Sequence, residues 1–348
     1  MSMEETDLLK SAVVEFSEKN ISNNATAFER GGIPAEVIKA VAAQGFLGAA
    51  IPADSGGSGI DRSGYSVILR QLAVYSPSVS ALVLITSSIA SAALAKAAPD
   101  LLPDIASGNR LVGVDLSTAM DTKIERGALK ISGSRIRGTV RYVLNGSGDL
   151  LIAMTSDGKL VVVDGGIQAT PEEHHLSFRG LAYTKVKVDS GNFRILDEHG
   201  KDALLKIADS IDLEVASLAL GIARGALNKV VEYTKVRKTF ERPLKDYGPV
   251  ADNISRLMSE LRMAELNLES SEAMRDEEIL MLKILSVDIA KRATKYALQY
   301  HGGYGYIEDF GVEKYYRDAA GLSILFQSPY RDAMRVAKAV YGEKSGYL

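Results

Sequence analysis

The chain has no cysteine among its 348 residues. This absence excludes disulfide bonds, thiolate metal sites and a cysteine nucleophile, and we expect a reducing, cytoplasmic environment. A strong excess of either charge is also missing, and a formal net charge of -3 gives no electrostatic reason to expect nucleic-acid binding. Residues 1–7 are acidic, unlike the basic start of a secretory signal peptide. His174 and His175 lack a third ligand at recognisable spacing, so we expect no metal site.

Long uncharged runs are scarce, but the stretch from Ser78 to Ala95 carries no charge. It approaches the ~20 residues that cross a bilayer. However, it contains five serines and many alanines, and Lys96 and Asp100 follow directly. We therefore expect a helix buried among other helices and no membrane span, with membrane insertion as a minor alternative.

The hydrophobic pattern changes twice along the chain and predicts three domains. It is helical to about residue 110, has a period of two from Lys123, and is helical again after Asp202. We expect an N-terminal α-helical domain (1–112), a middle β domain (113–204) and a C-terminal helical bundle (205–348). The middle domain is predicted to be a small antiparallel β-barrel or sandwich.

Individual segments support this division. Leu9, Val13 and Phe16 recur at helical spacing near the N-terminus. Residues 156–158, Ser-Asp-Gly, separate two apolar runs and predict a hairpin turn. Residues 183–188 alternate between apolar and polar, which predicts a strand with one solvated face.

The segment Gln299–Tyr306 reads Gln-Tyr-His-Gly-Gly-Tyr-Gly-Tyr and follows a long helical pattern. Gly302 and Gly303 would let the backbone approach a bound group closely, and their amides could donate to anionic oxygens. The pair therefore indicates a phosphate or pyrophosphate contact. On its own, the pair is better explained as a helix stop followed by a turn.

Three segments together resemble the acyl-CoA dehydrogenase family. Tyr233–Phe240 matches its Tyr-x-x-x-Arg-x-x-Phe segment, and 299–305 matches its Gln-x-x-Gly-Gly-x-Gly segment, followed by Arg317 and Asp318. Residues 45–59, rich in glycine, resemble a loop that joins two helices of its N-terminal domain. The resemblance implies an α+β multidomain protein with a C-terminal four-helix bundle, which also makes the contacts of a homo- or heterotetramer or a dimer.

The resemblance also implies FAD between the β domain and the bundle. Arg237 matches an arginine that reaches the FAD phosphates, and Phe240 matches a flavin-contacting aromatic residue, although composition alone would place Phe240 in the core. Gln299, Gly302 and Gly303 match the segment that touches the nucleotide end, typically across a subunit interface.

Further cofactor contacts are expected from two other segments. Tyr142, Val143 and Leu144 stand where the family usually has Trp-Ile-Thr, so Leu144 lacks the hydroxyl that bonds the flavin. Gln327 and Ser328 stand at the second and third positions of the family's Glu-Gly-Thr segment.

The catalytic glutamate of the family is missing from both of its usual positions. Phe326 holds the C-terminal position and Ile211 holds the alternative position early in the first long helix of the bundle. Glu214 lies about one helical turn, or ~5 Å, beyond Ile211, and we predict that it is the surrogate base. A solvated or paired helix carboxylate is the plainer alternative, and Glu308 and Asp309 are other candidates.

These residues are consistent with three functions. The first is an FAD-dependent oxidoreductase that desaturates an acyl-CoA thioester, as in fatty acid metabolism, and passes electrons to an external acceptor such as electron-transfer flavoprotein. The second is a catalytically degenerate subunit of a heteromeric acyl-CoA dehydrogenase. The third is a flavin monooxygenase of the same fold, which needs no glutamate.

Overall fold

The N-terminal part of the chain is helical, as its apolar periodicity predicts. The computed structural model describes residues 3–117, 126–171, 175–181, 183–326 and 328–342. Val13 and Phe16 are buried, and Leu9 packs partly buried against the same core. The helices are α1 (Met3–Asn20), α2 (Ala25–Gly31), α3 (Ala35–Ala43), α4 (Arg62–Tyr75), α5 (Pro77–Leu84), α6 (Ser91–Leu94) and α7 (Leu102–Ala106).

The uncharged run lies in one continuous helical stretch in which a π-helical segment, Ile85–Ala90, connects α5 to α6. Within the described ranges, Pro77–Leu94 is the one stretch long and apolar enough to cross a membrane, and 83% of it is buried inside the protein. This burial agrees with the predicted helix packed among other helices.

The middle of the chain forms one large sheet. The two apolar runs around residues 156–158 pair antiparallel, which confirms the predicted hairpin. Alternate residues of the strand 183–190 are buried and exposed, which confirms its solvated face. The strands are β1 (Val112–Val114), β2 (Leu129–Ser132), β3 (Arg135–Leu144), β4 (Leu150–Met154), β5 (Leu160–Asp164), β6 (Ile167–Pro171), β7 (Tyr183–Ser190) and β8 (Phe193–Asp197).

The prediction of an antiparallel barrel or sandwich is wrong in two respects. The strand order is β6-β7-β3-β1-β4-β5-β8, with β2 paired to β3, and among the described residues β6 and β8 do not pair to close a barrel. The sheet is also mixed, because β1 pairs parallel with β4 through Val112, Gly113 and Val114. A period-two pattern fixes which residues share a face but says nothing about the direction of the neighbouring strand.

The sheet has two buried faces. Ile152 and Val162 belong to the large core that includes the helices, whereas Leu151 and Val161 belong to a second core between strands. This arrangement explains why β4 and β5 are continuously apolar rather than alternating.

The C-terminal part contains long helices with buried apolar stripes. Leu220, Leu227, Leu257 and Leu261 are all buried, as the helical spacing predicts. Four of these helices, α9 to α12, pack against one another as the expected bundle. The elements are α8 (Gly200–Ser210), α9 (Asp212–Val236), a small hairpin of β9 (Lys238–Thr239) and β10 (Arg242–Pro243), α10 (Gly248–Glu269), α11 (Asp276–His301), α12 (Glu313–Leu325) and α13 (Pro329–Tyr341).

Candidate active site

A cleft lies where α9 and α11 end, and it brings together four of the predicted cofactor residues. Arg237, Gln299, Gly302 and Gly303 all line this cleft, which has a volume of about 480 Å³. The two segments are about 60 residues apart in the chain, and the packing of α9 along α11 places their C-terminal ends side by side. The other lining residues are Tyr233, Thr239, Leu244, Tyr300, His301, Tyr304 and Ile307.

Arg237 follows the last residue of α9 in an extended conformation, with φ -72° and ψ 124°. The chain then enters the β9–β10 hairpin, whose two turn residues, Phe240 and Glu241, have φ of 48° and 62°. The guanidinium carbon of Arg237 lies 5.9 Å from the ring centroid of Tyr304, a cation–π contact that leaves its donors available to a bound anion. Phe240 is 93% exposed, so the core location expected from composition alone is wrong.

Gly302 ends α11 with φ 59° and ψ -136°, a backbone conformation that is essentially restricted to glycine. A Cβ built on Gly302 or Gly303 would meet no atom within 4 Å. The glycines are therefore not required by packing against protein atoms. Both leave open backbone in the wall of the cleft, as expected for a backbone contact to an anionic ligand.

His301 forms the buried wall of the same cleft. Its ring stacks on Tyr233 with a centroid distance of 4.2 Å, and its Nδ1 lies 2.7 Å from the carbonyl oxygen of Ala297. Burial lowers the pKa of His301, and the charge of Lys229 lowers it further. In the neutral ring Nδ1 donates to the carbonyl, which leaves Nε2 as an acceptor.

The end of β3 presents a second set of predicted residues. Tyr142 is 56% exposed and has φ 65°, at a bulge where the pairing of β3 with β7 shifts register between Val140 and Val143. The ring of Tyr142 stacks on Tyr183 at a centroid distance of 6.1 Å, and the ring centroid of His175 lies 5.4 Å from that of Tyr183. Bulges often redirect a side chain at a functional site, and here the bulge exposes an aromatic surface suited to a planar ring.

Sequence reasoning missed Tyr183 and a buried acid beside it. Asp115 follows β1 and accepts hydrogen bonds from the amide (3.0 Å) and the hydroxyl (2.6 Å) of Ser117. Burial raises the pKa of Asp115. Burial also raises the pKa of Tyr183 to about 12, and the neighbouring charge of Asp115 contributes. Asp115 is distant from Tyr183 in the chain, and the pairing of β1, β3 and β7 brings the two residues into proximity.

The remaining predicted cofactor residues lie elsewhere. The side chain of Val143 is buried between strands and that of Leu144 is buried against the helical core, so only their backbone groups are candidates for contact. Ser328 precedes α13, and its carbonyl accepts a hydrogen bond from the amide of Asp332. Gln327 lies outside the described residues.

Glu214 lies in the first turn of α9, and its Oε2 is buried without a hydrogen-bond partner among the described residues. Burial raises the pKa of Glu214 to about 7, opposed by Arg62 and assisted by Asp212. The charge of Glu214 in turn raises the pKa of Tyr65, which is raised mainly by burial. The carboxyl is therefore close to Tyr65, whose hydroxyl lies 2.9 Å from Ser88 Oγ in the π-helical segment.

The two usual base positions are occupied by core residues. Phe326 is fully buried and makes an edge-to-face contact with Phe178, with ring centroids 5.7 Å apart. Ile211 is also buried. The next residue, Asp212, accepts from Lys283 Nζ at 2.6 Å and lies 3.0 Å from a guanidinium nitrogen of Arg335 on α13. Neither position offers a proton acceptor to a substrate.

The other two carboxylate candidates are engaged at the surface. Glu308 pairs with Arg30 at 2.9 Å and with Arg179 at 3.6 Å, and Asp309 lies 3.7 Å from Arg30. Of the five positions considered, only Glu214 combines a carboxylate with burial and an unpartnered oxygen.

The two halves of the predicted site lie at opposite ends of one helix. Glu214 lies near the start of α9 and Arg237 directly after its end, so at 1.5 Å per residue they are about 35 Å apart along the axis. The structure therefore brings Arg237, Gln299 and the glycines together but does not bring them to Glu214.

Comparisons with known proteins agree with this architecture. Residues 3–109 match the model of the acyl-CoA dehydrogenase N-terminal domain and residues 212–326 match that of the C-terminal domain. The caffeyl-CoA reductase-Etf complex subunit CarC of Acetobacterium woodii is 26% identical, over 92% of this chain and 94% of that protein. The 3-(aryl)acrylate reductase of Clostridium sporogenes is also 26% identical, over 92% and 94%.

A solved structure extends the likeness to the whole fold. The glutaryl-CoA dehydrogenase of Mycobacterium smegmatis in complex with FADH2 superposes with a TM-score of 0.87 at 20% identity, over 99% of this chain and 96% of that chain. The two family models together cover more than half of the sequence, including both helical parts. The chain therefore belongs to the acyl-CoA dehydrogenase family of flavin-dependent oxidoreductases.

Proposed function

We propose that this protein is an FAD-dependent oxidoreductase that interconverts a saturated acyl-CoA thioester and its α,β-unsaturated form, with Glu214 as the group that exchanges the α-proton. The observation that carries this proposal is the buried, unpartnered Oε2 of Glu214, with the pKa of the carboxyl raised to about 7. A carboxyl with this pKa populates both protonation states near neutral pH, which suits a general acid or base.

The residues around the cleft fit FAD. Arg237 offers a fork of donors for phosphate oxygens, and Gly302 and Gly303 expose backbone beside it. Tyr142 offers a stacking surface near the end of β3, and its own ring stacks on Tyr183. Bound FAD supplies the hydride acceptor for the β-carbon. The task of the protein residues is to hold the cofactor, exclude water and exchange a proton at the α-carbon through Glu214.

The direction of the reaction is set by the substrate and the electron partner. Two relatives are named as reductases, and one of these names describes a complex with Etf. In the reductive direction, protonated Glu214 delivers the α-proton. In the oxidative direction, the carboxylate removes it. We propose an electron-transferring flavoprotein as the external partner in either direction.

We propose a dimer or tetramer in which two chains share each site. Glu214 and Arg237 of one chain are separated by about 35 Å along α9, and this separation favours a site in which they come from different chains. A second copy that places its Arg237 end beside the first copy's sheet would complete the site. The exposed Phe240, Val236 and Tyr306 near this end are suited to such an interface.

A catalytically degenerate subunit is the second candidate, and the burial of Phe326 and Ile211 at the two usual base positions favours it. In that case Glu214 is a buried carboxylate without a catalytic role. The cleft at Arg237 would then serve the flavin site of an active homologue.

One experiment separates the two candidates. The purified protein is loaded with FAD and mixed without oxygen with saturated acyl-CoA thioesters of several chain types, including arylpropanoyl-CoA, while flavin absorbance is followed. Bleaching by a homo-oligomer, slowed strongly in Glu214→Gln, supports the proposal. A flavin-loaded protein that no thioester bleaches and no enoyl-CoA reoxidises would instead support the degenerate subunit.

A further inference from the structure

A second cavity lies between the N-terminal helices, α9 and the start of α12, and two lysines line it. Its volume is about 220 Å³. Lys229 and Lys314 line it together with five neutral side chains that carry hydrogen-bond donors: Ser22, Thr26, Tyr75, Asn228 and Tyr315. Of the described residues that line the cavity, none is an aspartate or glutamate.

Neither ammonium group is neutralised by a direct ion pair. Lys314 Nζ donates to the carbonyl of Tyr75 at 2.8 Å, and Lys229 Nζ donates to the carbonyl of Phe310 at 3.2 Å. Within the ranges that the structure covers, no carboxylate lies within 4.0 Å of either nitrogen. Each ammonium has three donors and uses one on a carbonyl, so both retain donors for a ligand.

The carboxylates behind the cavity are engaged elsewhere. Arg317 pairs with both Glu29 (3.1 Å) and Glu313 (2.9 Å), so these two carboxylates are shared with a third cation. Asp318 accepts a hydrogen bond from the amide of Phe178, and burial raises its pKa. Among the described residues, neither cavity lysine forms a direct ion pair with any of these three carboxylates.

We infer that this cavity binds a phosphate-class oxyanion, either free inorganic phosphate or the phosphoryl group of an organic phosphate monoester. Such an anion accepts charge-assisted hydrogen bonds from Lys229 and Lys314 and neutral ones from Thr26 and Asn228. Burial lowers the pKa of both lysines, and a bound anion would favour their charged forms again.

The site is distinct from the cofactor cleft, although it lies near it. Lys229 precedes Arg237 by two turns of α9, or about 12 Å along the axis, and the two cavities share no lining residue. The inference stands on the lysine cavity alone and does not depend on the proposed redox reaction. Its test therefore uses phosphate binding rather than catalysis.

The test is calorimetric titration of the full-length, FAD-loaded protein with inorganic phosphate in a chloride buffer of constant ionic strength. We expect one saturable site that Lys229→Gln weakens at least about tenfold, because a charge-assisted contact is lost. The matched control is Lys235→Gln, on the same helix, where Lys235 pairs with Glu232 outside the cavity. This control should bind phosphate like the wild type.

A second variant and a second ligand complete the test. Thr26→Val removes a hydroxyl from the cavity wall without changing charge and should weaken binding a few fold. Phenyl phosphate is titrated in parallel to distinguish free inorganic phosphate from an organic phosphate monoester. The ligand that binds the wild type more tightly, and whose binding Lys229→Gln weakens, identifies the natural class. The absence of saturable binding, equal binding to Lys229→Gln, or equal losses in Lys229→Gln and Lys235→Gln would each overturn the inference.

Discussion

Replacement of Glu214 by glutamine tests the proposed reaction most directly. Glu214→Gln keeps the shape of the side chain but cannot take a proton. Because general acid–base catalysis by a positioned group contributes about 100- to 10,000-fold, we expect flavin reduction by an acyl-CoA to slow by that factor. The wild-type rate should rise with pH through about 7, since the carboxylate is the active form in the oxidative direction.

The same substitution should change the pH dependence of folding stability. The shift in the pKa of Glu214 from 4.5 to about 7 corresponds to about 3 kcal/mol at most. A raised pKa means that the folded protein holds this proton more tightly than the unfolded chain. Glu214 therefore weakens the fold increasingly as pH rises from about 4.5 to about 7, and the glutamine variant is spared this loss.

The assays are anaerobic stopped-flow measurement of flavin absorbance and urea unfolding at about pH 5 and about pH 8. Glu232→Gln is the control, because Glu232 lies on the same helix but is exposed and paired with Lys235. Equal rates of flavin reduction in Glu214→Gln and wild type would refute the catalytic role. An equal decrease in the free energy of unfolding between about pH 5 and about pH 8 in the wild type and in Glu214→Gln would refute the buried, unpartnered state of the carboxyl.

Four further substitutions test the cofactor cleft and the core. Arg237→Gln should weaken FAD binding about 10- to 100-fold by removing charge-assisted contacts to phosphate, measured by flavin release on dialysis. Gly302→Ala should lower the free energy of unfolding in urea by about 1–3 kcal/mol because alanine is strained at φ 59°, whereas Gly303→Ala should leave it nearly unchanged while weakening FAD binding. Phe326→Ala should cost about 3–5 kcal/mol of unfolding free energy by emptying the space beside Phe178.

Each of these predictions has a contrary outcome. Full FAD retention in both the Arg237 and Gly303 variants would place the cofactor outside this cleft. Equal stability of the two glycine variants would contradict the backbone conformation of Gly302. For the core, Phe326→Glu is the informative companion, since burying an unpaired carboxylate should destabilise the protein instead of accelerating flavin reduction. A faster variant would show that this position still reaches the substrate.

The sequence alone determined the division into helices, strands and helices, and it identified the family. Apolar spacing reports which side of an element is buried, so the stripes that include Leu220 and Leu257 became core as predicted. The sequence also identified Arg237, Gln299 and the paired glycines, because they belong to short segments in which the residues stand at a fixed spacing. Their shared location in one cleft was implied only through the resemblance.

Only the tertiary structure decided the features that depend on neighbours distant in the chain. The parallel pairing of β1 with β4, the electrostatic effect of Asp115 on Tyr183 and the 93% exposure of Phe240 all depend on how elements pack together. The same is true of Glu214. Its position in the first turn of α9 could be counted from the sequence, but its pKa of about 7 arises from desolvation, and desolvation is a property of the packed surroundings rather than of the residue.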